Sequence, residues 1–170
     1  APAVQAELAK YRSTVDLLHA GAIDPDKEFK PYRLVHGVYG QRQQGENQMV
    51  RIKLKYGLVT PAQLRVLADV SEEYTNGISH ITTCQAVQLH YDLLSRLEEC
   101  GLTTREACGN AVRAVCASAD AGCRGDEPFA VEPYAEVIFQ HFLRGPRSAS
   151  LPRKFKISFA GSHADKLGQV

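Results

Sequence analysis

Met49-Val-Arg-Ile-Lys-Leu-Lys-Tyr-Gly-Leu-Val-Thr-Pro-Ala-Gln63 is the stretch whose reading decides the fold. Its first half alternates: Val50, Ile52 and Leu54 share one face, and Arg51, Lys53 and Lys55 share the other, the period of a strand. Gly57 breaks the strand. Thr60 then stands at an N-cap, Pro61 at the first helical position and Gln63 three residues after the cap, which together make a capping box. The helix so opened runs to about Tyr74 with Leu64, Leu67, Val70 and Tyr74 on its buried side, and Asn76-Gly77 ends it in a left-handed turn.

Downstream, Ile78 to Tyr91 reads as one long extended stretch. Ile81, Thr83, Gln85, Val87, Leu89 and Tyr91 fall on one face; His80, Thr82, Cys84, Gln88 and His90 fall on the other, almost wholly polar one. A helix over Leu93 to Cys100 stops at Gly101, so residues 48–101 give strand, helix, strand, helix, an α+β unit. Upstream, the spacing of Val4, Leu8, Tyr11, Val15 and Leu18 predicts an amphipathic helix over residues 3–20. Asp24-Pro25-Asp26 predicts a turn, residues 32–39 an extended segment and residues 40–48 a polar loop.

In the last third, Thr103-Thr-Arg-Glu106 is a second capping-box pattern and predicts a helix through Cys108, Val112 and Val115 that carries Asn110 and Arg113. Residues 117–130 read as irregular. Pro133 opens a helix with Tyr134, Val137, Ile138, His141 and Phe142 at helical spacing, and Gly145-Pro146 closes it. Leu151-Pro-Arg-Lys-Phe-Lys-Ile-Ser-Phe159 reads as a strand with Lys154, Lys156 and Ser158 on one face and Phe155, Ile157 and Phe159 on the other.

Composition bounds the function. The chain has 170 residues, 44% hydrophobic and 23% charged, with net charge +1. These are globular values and leave no case for a general nucleic-acid-binding surface; any basic site is local. No apolar run approaches the roughly 20 residues of a membrane span, and the polar N-terminus is no signal peptide. The five cysteines, Cys84, Cys100, Cys108, Cys116 and Cys123, form no C-x-x-C pair, which predicts reduced thiols in a cytoplasmic protein and no metal site within the chain. The chain starts at Ala and reads as a piece of a longer polypeptide.

Three strands share one habit, an apolar face backed by a cationic or polar one. Either the polar faces are separate and solvated, or they meet as one basic pocket. Such a pocket suits a polycarboxylate or a small oxyanion, because charge-assisted contacts supply energy and orientation.

The residues that carry these faces occur in a series. Met49-Val-Arg51-Ile-Lys, with Tyr56-Gly57 and the Thr-Pro-x-Gln-Leu helix, resembles the ferredoxin-like half domain of siroheme nitrite/sulfite reductases. His80-Ile-Thr-Thr-Cys84-Gln85-Ala-Val-Gln88-Leu-His90 resembles that family's Thr-Thr-Arg-Gln-x-x-Gln segment, and Gly109-Asn110-Ala-Val-Arg113 its Gly-Asn-x-x-Arg motif. Asp126-Glu127, the Pro133-Tyr-Ala-Glu helix and Leu151-Pro-Arg-Lys-Phe-Lys156 complete the series over about residues 30–160.

The resemblance implies an α+β fold: a ferredoxin-like half domain over residues 1–102 with its N-terminal extension, then the beginning of an α+β siroheme-binding domain over residues 103–170. It implies six-electron reduction of sulfite to sulfide, or of nitrite to ammonia, by siroheme coupled to a [4Fe–4S] cluster, with a ferredoxin or a flavoprotein as electron donor. Arg51, Arg113, Lys154 and Lys156 match the family's four substrate cations. His80, Cys84, Gln88, Asn110 and Arg153 fall at siroheme-contacting positions. Tyr56-Gly57 inclines the resemblance toward the sulfite reductase hemoprotein group. Cys84 stands where the family usually has an anchoring Arg, which bears on cofactor affinity. The family's cluster-binding cysteines lie in its C-terminal half, outside this chain. Two alternatives remain: a truncated or diverged, non-catalytic tetrapyrrole-binding domain, and the related oxygen-dependent branch of cobalamin biosynthesis.

Overall fold

The computed structural model describes the chain apart from residues 1, 41–47, 76, 83–84, 90–96, 98 and 163–170, and gives only the backbone of Leu89. The loop expected over residues 40–48, the helix expected over Leu93 to Cys100 and the positions of Cys84 and His90 lie wholly or mostly outside the described residues.

The quoted stretch forms the centre of the first layer. β2 (Gln48–Lys53) pairs antiparallel with β1 (Val38–Gly40) on one side and β4 (Ala86–Leu89) on the other, and β3 (His80–Ile81) adds to β4, giving the order β1-β2-β4-β3. Val50, Ile52 and Val87 point to one face and pack with Leu67 and Val70 of α3 (Pro61–Tyr74), Leu97 and Leu102. The capping box forms as read: Thr60 Oγ1 accepts from Gln63 N at 3.2 Å and Gln63 Oε1 accepts from Thr60 N at 3.0 Å. Gln63 also donates to the Cys100 carbonyl at 3.1 Å, tying the start of the helix to the end of the unit.

The second layer is a parallel pair. β5 (Val112–Ala117) and β6 (Phe155–Phe159) are joined by α4 (Glu132–Phe142), the kind of crossover that parallel strands require. Val112, Val115 and Ala117 pack against Val131, Ala135 and Phe139, with Ile157 and Phe159 closing the far side. A bridge between Tyr56 and Cys116 and a hydrogen bond from Gln85 Nε2 to the Ala117 carbonyl (2.8 Å) join the layers. α1 (Pro2–His19) lies over the seam, with Val4 buried.

Several expectations are corrected. Residues 32–39 are not one extended segment. Asp24 Oδ1 accepts from Asp26 N and Lys27 N, both at 2.9 Å, and starts a π-helical turn (Pro25–Phe29) that continues into α2 (Lys30–Val35). Gly37, at φ +77°, turns the chain from that helix into β1. Within the stretch read as one strand from Ile78 to Tyr91, the described residues form two antiparallel strands, β3 and β4, that fold back on each other. Gln85, at φ +53°, donates to the Thr82 carbonyl (3.0 Å), and Thr82 N donates to Ala86 O (2.8 Å). Alternation survives because a fold-back of this kind leaves residue parity intact.

Thr103–Glu106 caps no helix. Glu106 sits at φ +59° and its amide donates to Val35 O (2.8 Å) rather than into a helical ladder. Val112 and Val115, β-branched, go into β5 instead. α3 buries Leu67 and Val70 as expected, with Tyr74 packed beside them, and departs only at Leu64; α4 is turned so that Ala135 and Phe139 replace Tyr134 and Val137 on the core side. Leu64 and Val137 are 62% and 67% exposed, while Ser71, Ala135 and Phe139 are buried. The last strand begins at Phe155, not Leu151, and Phe155 is 57% exposed. No helix among the described residues is long and apolar enough to cross a membrane.

Candidate functional site

Arg51, Gln88 and His80 stand in a row on the sheet face away from the first core, because Gln88 is the register partner of Arg51 on one side and of His80 on the other. With its amide oxygen turned to the guanidinium, Gln88 accepts from Arg51 Nε at 3.0 Å and Nη2 at 2.5 Å. The strand's own amide is fixed as well: Arg51 N donates to Gly37 O at 2.9 Å.

Arg113 reaches the same neighbourhood from β5. It sits where the β5–β6 register shifts, between Val112 and Ala114, and its Nε donates to the Gly109 carbonyl at 2.7 Å. Cys108 is buried beside both arginines: its thiol and Arg51 N share the Gly37 carbonyl, and Arg113 Nε takes the carbonyl of its neighbour Gly109. Burial pushes its thiol pKa up, and the charges of Arg51 and Arg113 both oppose that shift. The thiol donates to Gly37 O at 3.8 Å.

Asn110 links this corner to the basic segment. Its backbone carbonyl accepts from Leu151 N at 3.0 Å and its Nδ2 donates to Pro152 O at 3.4 Å. Arg153 and Lys154 follow directly and are exposed. Phe155 N then donates to Ala111 O (2.9 Å), which places Lys156 in register with Ala114, beside Arg113. Arg51 and Arg113 thus each make a contact next to Cys108, while Asn110, Arg153, Lys154 and Lys156 follow along the adjoining edge of β5–β6. Cys84 lies outside the described residues.

Lys53 departs from the expected cationic face. It is 3% exposed, its Nζ donates to the Val112 carbonyl at 2.8 Å and lies 3.8 Å from Glu106 Oε2, and it sits 5.3 Å from the centre of the Phe139 ring. Its neighbour Lys55 pairs with Glu136 at 2.9 Å. Elsewhere Arg105 and Arg144 pair with Glu7, and Arg124 pairs with Asp120 and Asp126. Among the described residues no carboxylate pairs with Arg51, Arg113, Arg153 or Lys154. Four cations without a carboxylate partner among the described residues thus lie in this part of a chain whose net charge is only +1.

That donor set fits a polycarboxylate ligand and a small oxyanion, which bring the missing negative charge. It does not fit an iron–sulfur cluster: among the described residues no three His, Cys, Asp or Glu side chains come together. The two clefts found elsewhere hold none of the expected site residues. One lies under α1 at Glu7, His36 and Arg144; the other, about 410 Å³, lies between Lys53, Tyr56, Gln63 and Phe139. Sequence reasoning missed Cys108 as the buried residue beside which both arginines make contacts, and missed Glu106 as Lys53's partner. For Glu106 the only local signal is a cap pattern that points to a different use.

Residues 39–100 match the nitrite/sulfite reductase ferredoxin-like half domain. The chain is 31% identical over 148 residues to a sulfite reductase [ferredoxin] of Mycobacterium tuberculosis, covering 74% of this chain and 27% of that protein. It is 29% identical over 154 residues to an assimilatory ferredoxin-dependent nitrite reductase of Haloferax mediterranei, covering 80% of this chain and 26% of that protein. The structure of the Mycobacterium tuberculosis NirA protein superposes with a TM-score of 0.78 at 28% identity, covering 88% of this chain and 32% of NirA. The chain thus spans about a quarter of the length of the curated relatives it matches. With the same α+β architecture and similarity reaching across both layers, the chain belongs to the siroheme nitrite/sulfite reductase family and carries its ferredoxin-like half domain.

Proposed function

We propose that this chain supplies the anion-binding corner of a siroheme reductase that converts sulfite to sulfide, with residues 1–102 as the half domain and 103–170 as the start of the tetrapyrrole-binding domain. Nitrite reduction to ammonia is the second reading, since relatives named for either substrate match the chain. The observation that carries the proposal is the corner itself. Arg51 and Arg113 each make a contact beside the buried Cys108, Lys154 stands just before the next strand and Lys156 on it, and Arg51, Arg113, Arg153 and Lys154 lack carboxylate partners among the described residues.

In this reading Arg51 and Arg113 hold the substrate oxygens through planar, paired N–H donors. Lys154 and Lys156, exposed and close to the strand edge, hold the remaining negative charge and deliver protons as each oxygen leaves as water. Arg153, Asn110, Gln88 and His80, with Cys84 on the strength of the resemblance, would hold the tetrapyrrole, and Arg153 would neutralise a carboxylate that is costly to bury alone. Siroheme, with its coupled [4Fe–4S] cluster held by other parts of the protein, supplies the electrons. The donor we assign is a ferredoxin, the partner for which the relatives are named.

The test is sulfide production and tetrapyrrole content in the whole polypeptide bearing this chain. Lys154→Ala and Lys156→Ala are expected to lower turnover while the siroheme absorption bands persist. Unchanged turnover in both variants overturns the assignment of these lysines, and a protein that stays colourless after expression with a siroheme supply overturns the reductase reading.

A further inference from the structure

We propose that Lys53 is a positioning residue for the anion corner: its ammonium holds the Val112–Arg113 peptide and so fixes the direction of Arg113 relative to Arg51. The inference rests on the reading of that corner given above and adds a residue to it.

The geometry is specific. Val112 O and Arg113 N belong to one planar peptide unit, so fixing the carbonyl oxygen fixes the plane from which the Arg113 side chain departs. Lys53 Nζ takes that oxygen at 2.8 Å from across the layers. It does so where the β5–β6 register shifts, the place where a strand has least regular ladder to hold it. Lys53 is also two residues from Arg51 on the same strand, so a single element carries one arginine and grips the peptide of the other. Its backbone is pinned too, with Lys53 N donating to Thr103 O at 2.7 Å.

The bond is an unusual one to keep if its purpose were adhesion alone. The lysine is 3% exposed and Glu106 is wholly buried; Glu106 Oε2 finds no hydrogen-bond partner and meets Lys53 only at 3.8 Å. A well-packed apolar pair would hold the two layers together at lower desolvation cost. What an apolar pair cannot do is orient a carbonyl.

The test uses the whole polypeptide with two paired replacements, Lys53→Met/Glu106→Gln and Lys53→Met/Glu106→Met. Both remove the brace without leaving a lone buried charge, so the result does not depend on one fold-competent protein. Positioning predicts a melting midpoint near that of the parent. It predicts faster amide exchange confined to residues 109–114 in protein free of tetrapyrrole. In the tetrapyrrole-loaded protein, it predicts sulfite affinity (read from the absorption spectrum) weakened about fivefold or more, with most of that loss absent in an Arg113→Gln background. Losses that add independently, or exchange that quickens across the whole of β5, overturn the positioning role while leaving the corner intact. Sulfite affinity that does not respond to Arg113→Gln itself overturns both the corner and the positioning role.

Discussion

Glu7 Oε1 pairs with Arg105 Nη1 at 2.9 Å, joining the first helix to a segment nearly one hundred residues further along. Glu7 Oε2 pairs with Arg144 Nε at 3.0 Å and Oε1 lies 3.3 Å from His36 Nε2. Burial pushes the Glu7 carboxyl upward, but the His36 hydrogen bond and the two arginines outweigh it and bring the pKa from 4.5 to about 2. A carboxyl depressed on folding contributes stability that is fully present above its unfolded pKa and is lost as pH falls through the folded one. Stability should therefore fall between about pH 4.5 and pH 2 as α1 loosens. Glu7→Gln should cost about 2 kcal/mol at pH 7 and flatten that limb. Urea titrations at stepped pH read both effects.

The Lys53–Glu106 pair makes a prediction in the alkaline range, where a shift that opposes folding at neutral pH is relieved as pH rises. Burial lowers the Lys53 pKa from 10.5 to about 8, against the pull of Glu106. A base with a lowered folded pKa binds fewer protons when folded between those two values. Its contribution to stability thus rises with pH from about 8 toward 10.5. Lys53→Met alone leaves Glu106 buried without its closest cation and should cost about 3–5 kcal/mol, more than either paired replacement. Chemical denaturation at pH 7 and pH 10 separates the slope from the loss.

Gly37 is a point where backbone geometry leaves no latitude. It sits at φ +77°, and a Cβ there would collide with the Thr104 carbonyl oxygen and lie 2.9 Å from that of Arg51. Both neighbours are backbone and belong to the strand and turn that build the anion corner. Gly37→Ala should cost about 3 kcal/mol or more, from the left-handed conformation and the clash together. Gly21, at φ +68° with open space around it, should tolerate the same change with about 1 kcal/mol lost. Thermal melts of the two variants compare them directly.

These sites also show what the sequence could and could not tell. β2 and α3 were legible because their signals are local: alternation over six residues, and a Thr–Gln cap that closes on itself. The row of Arg51, Gln88 and His80 was legible by parity, which survives the hairpin that the sequence hid. Lys53 was not legible. Its burial depends on a carbonyl 59 residues away and on a Glu that arrives from outside the half domain. Glu106 misled for a related reason. Thr103-x-x-Glu106 has the spacing of a cap, but the carboxylate accepts from Arg144 N at 3.1 Å and faces Lys53, so tertiary partners took the group that a local cap would have used. The direction in which α4 turns its faces was likewise settled by β5, which selects Ala135 and Phe139 over Tyr134 and Val137.

Cys108 offers a reporter at the corner itself. It is 2% exposed with its thiol pKa pushed up by burial, whereas Cys123 is on the surface. The thiolate is the reactive species, so in the native protein at pH 7–8 an alkylating reagent should modify Cys123 first, and Cys108 only through opening of the site. The charges of Arg51 and Arg113 oppose the upward shift at Cys108. Arg51→Gln or Arg113→Gln should therefore raise the thiol pKa further and shift the pH profile of Cys108 alkylation upward, with Cys123 unaffected. Mass spectrometry of alkylated peptides across pH 7 to 10 follows both thiols in one sample. A profile at Cys108 that ignores both substitutions would mean that the two guanidinium groups do not converge there, and the corner would lose the geometry on which sulfite binding is assigned.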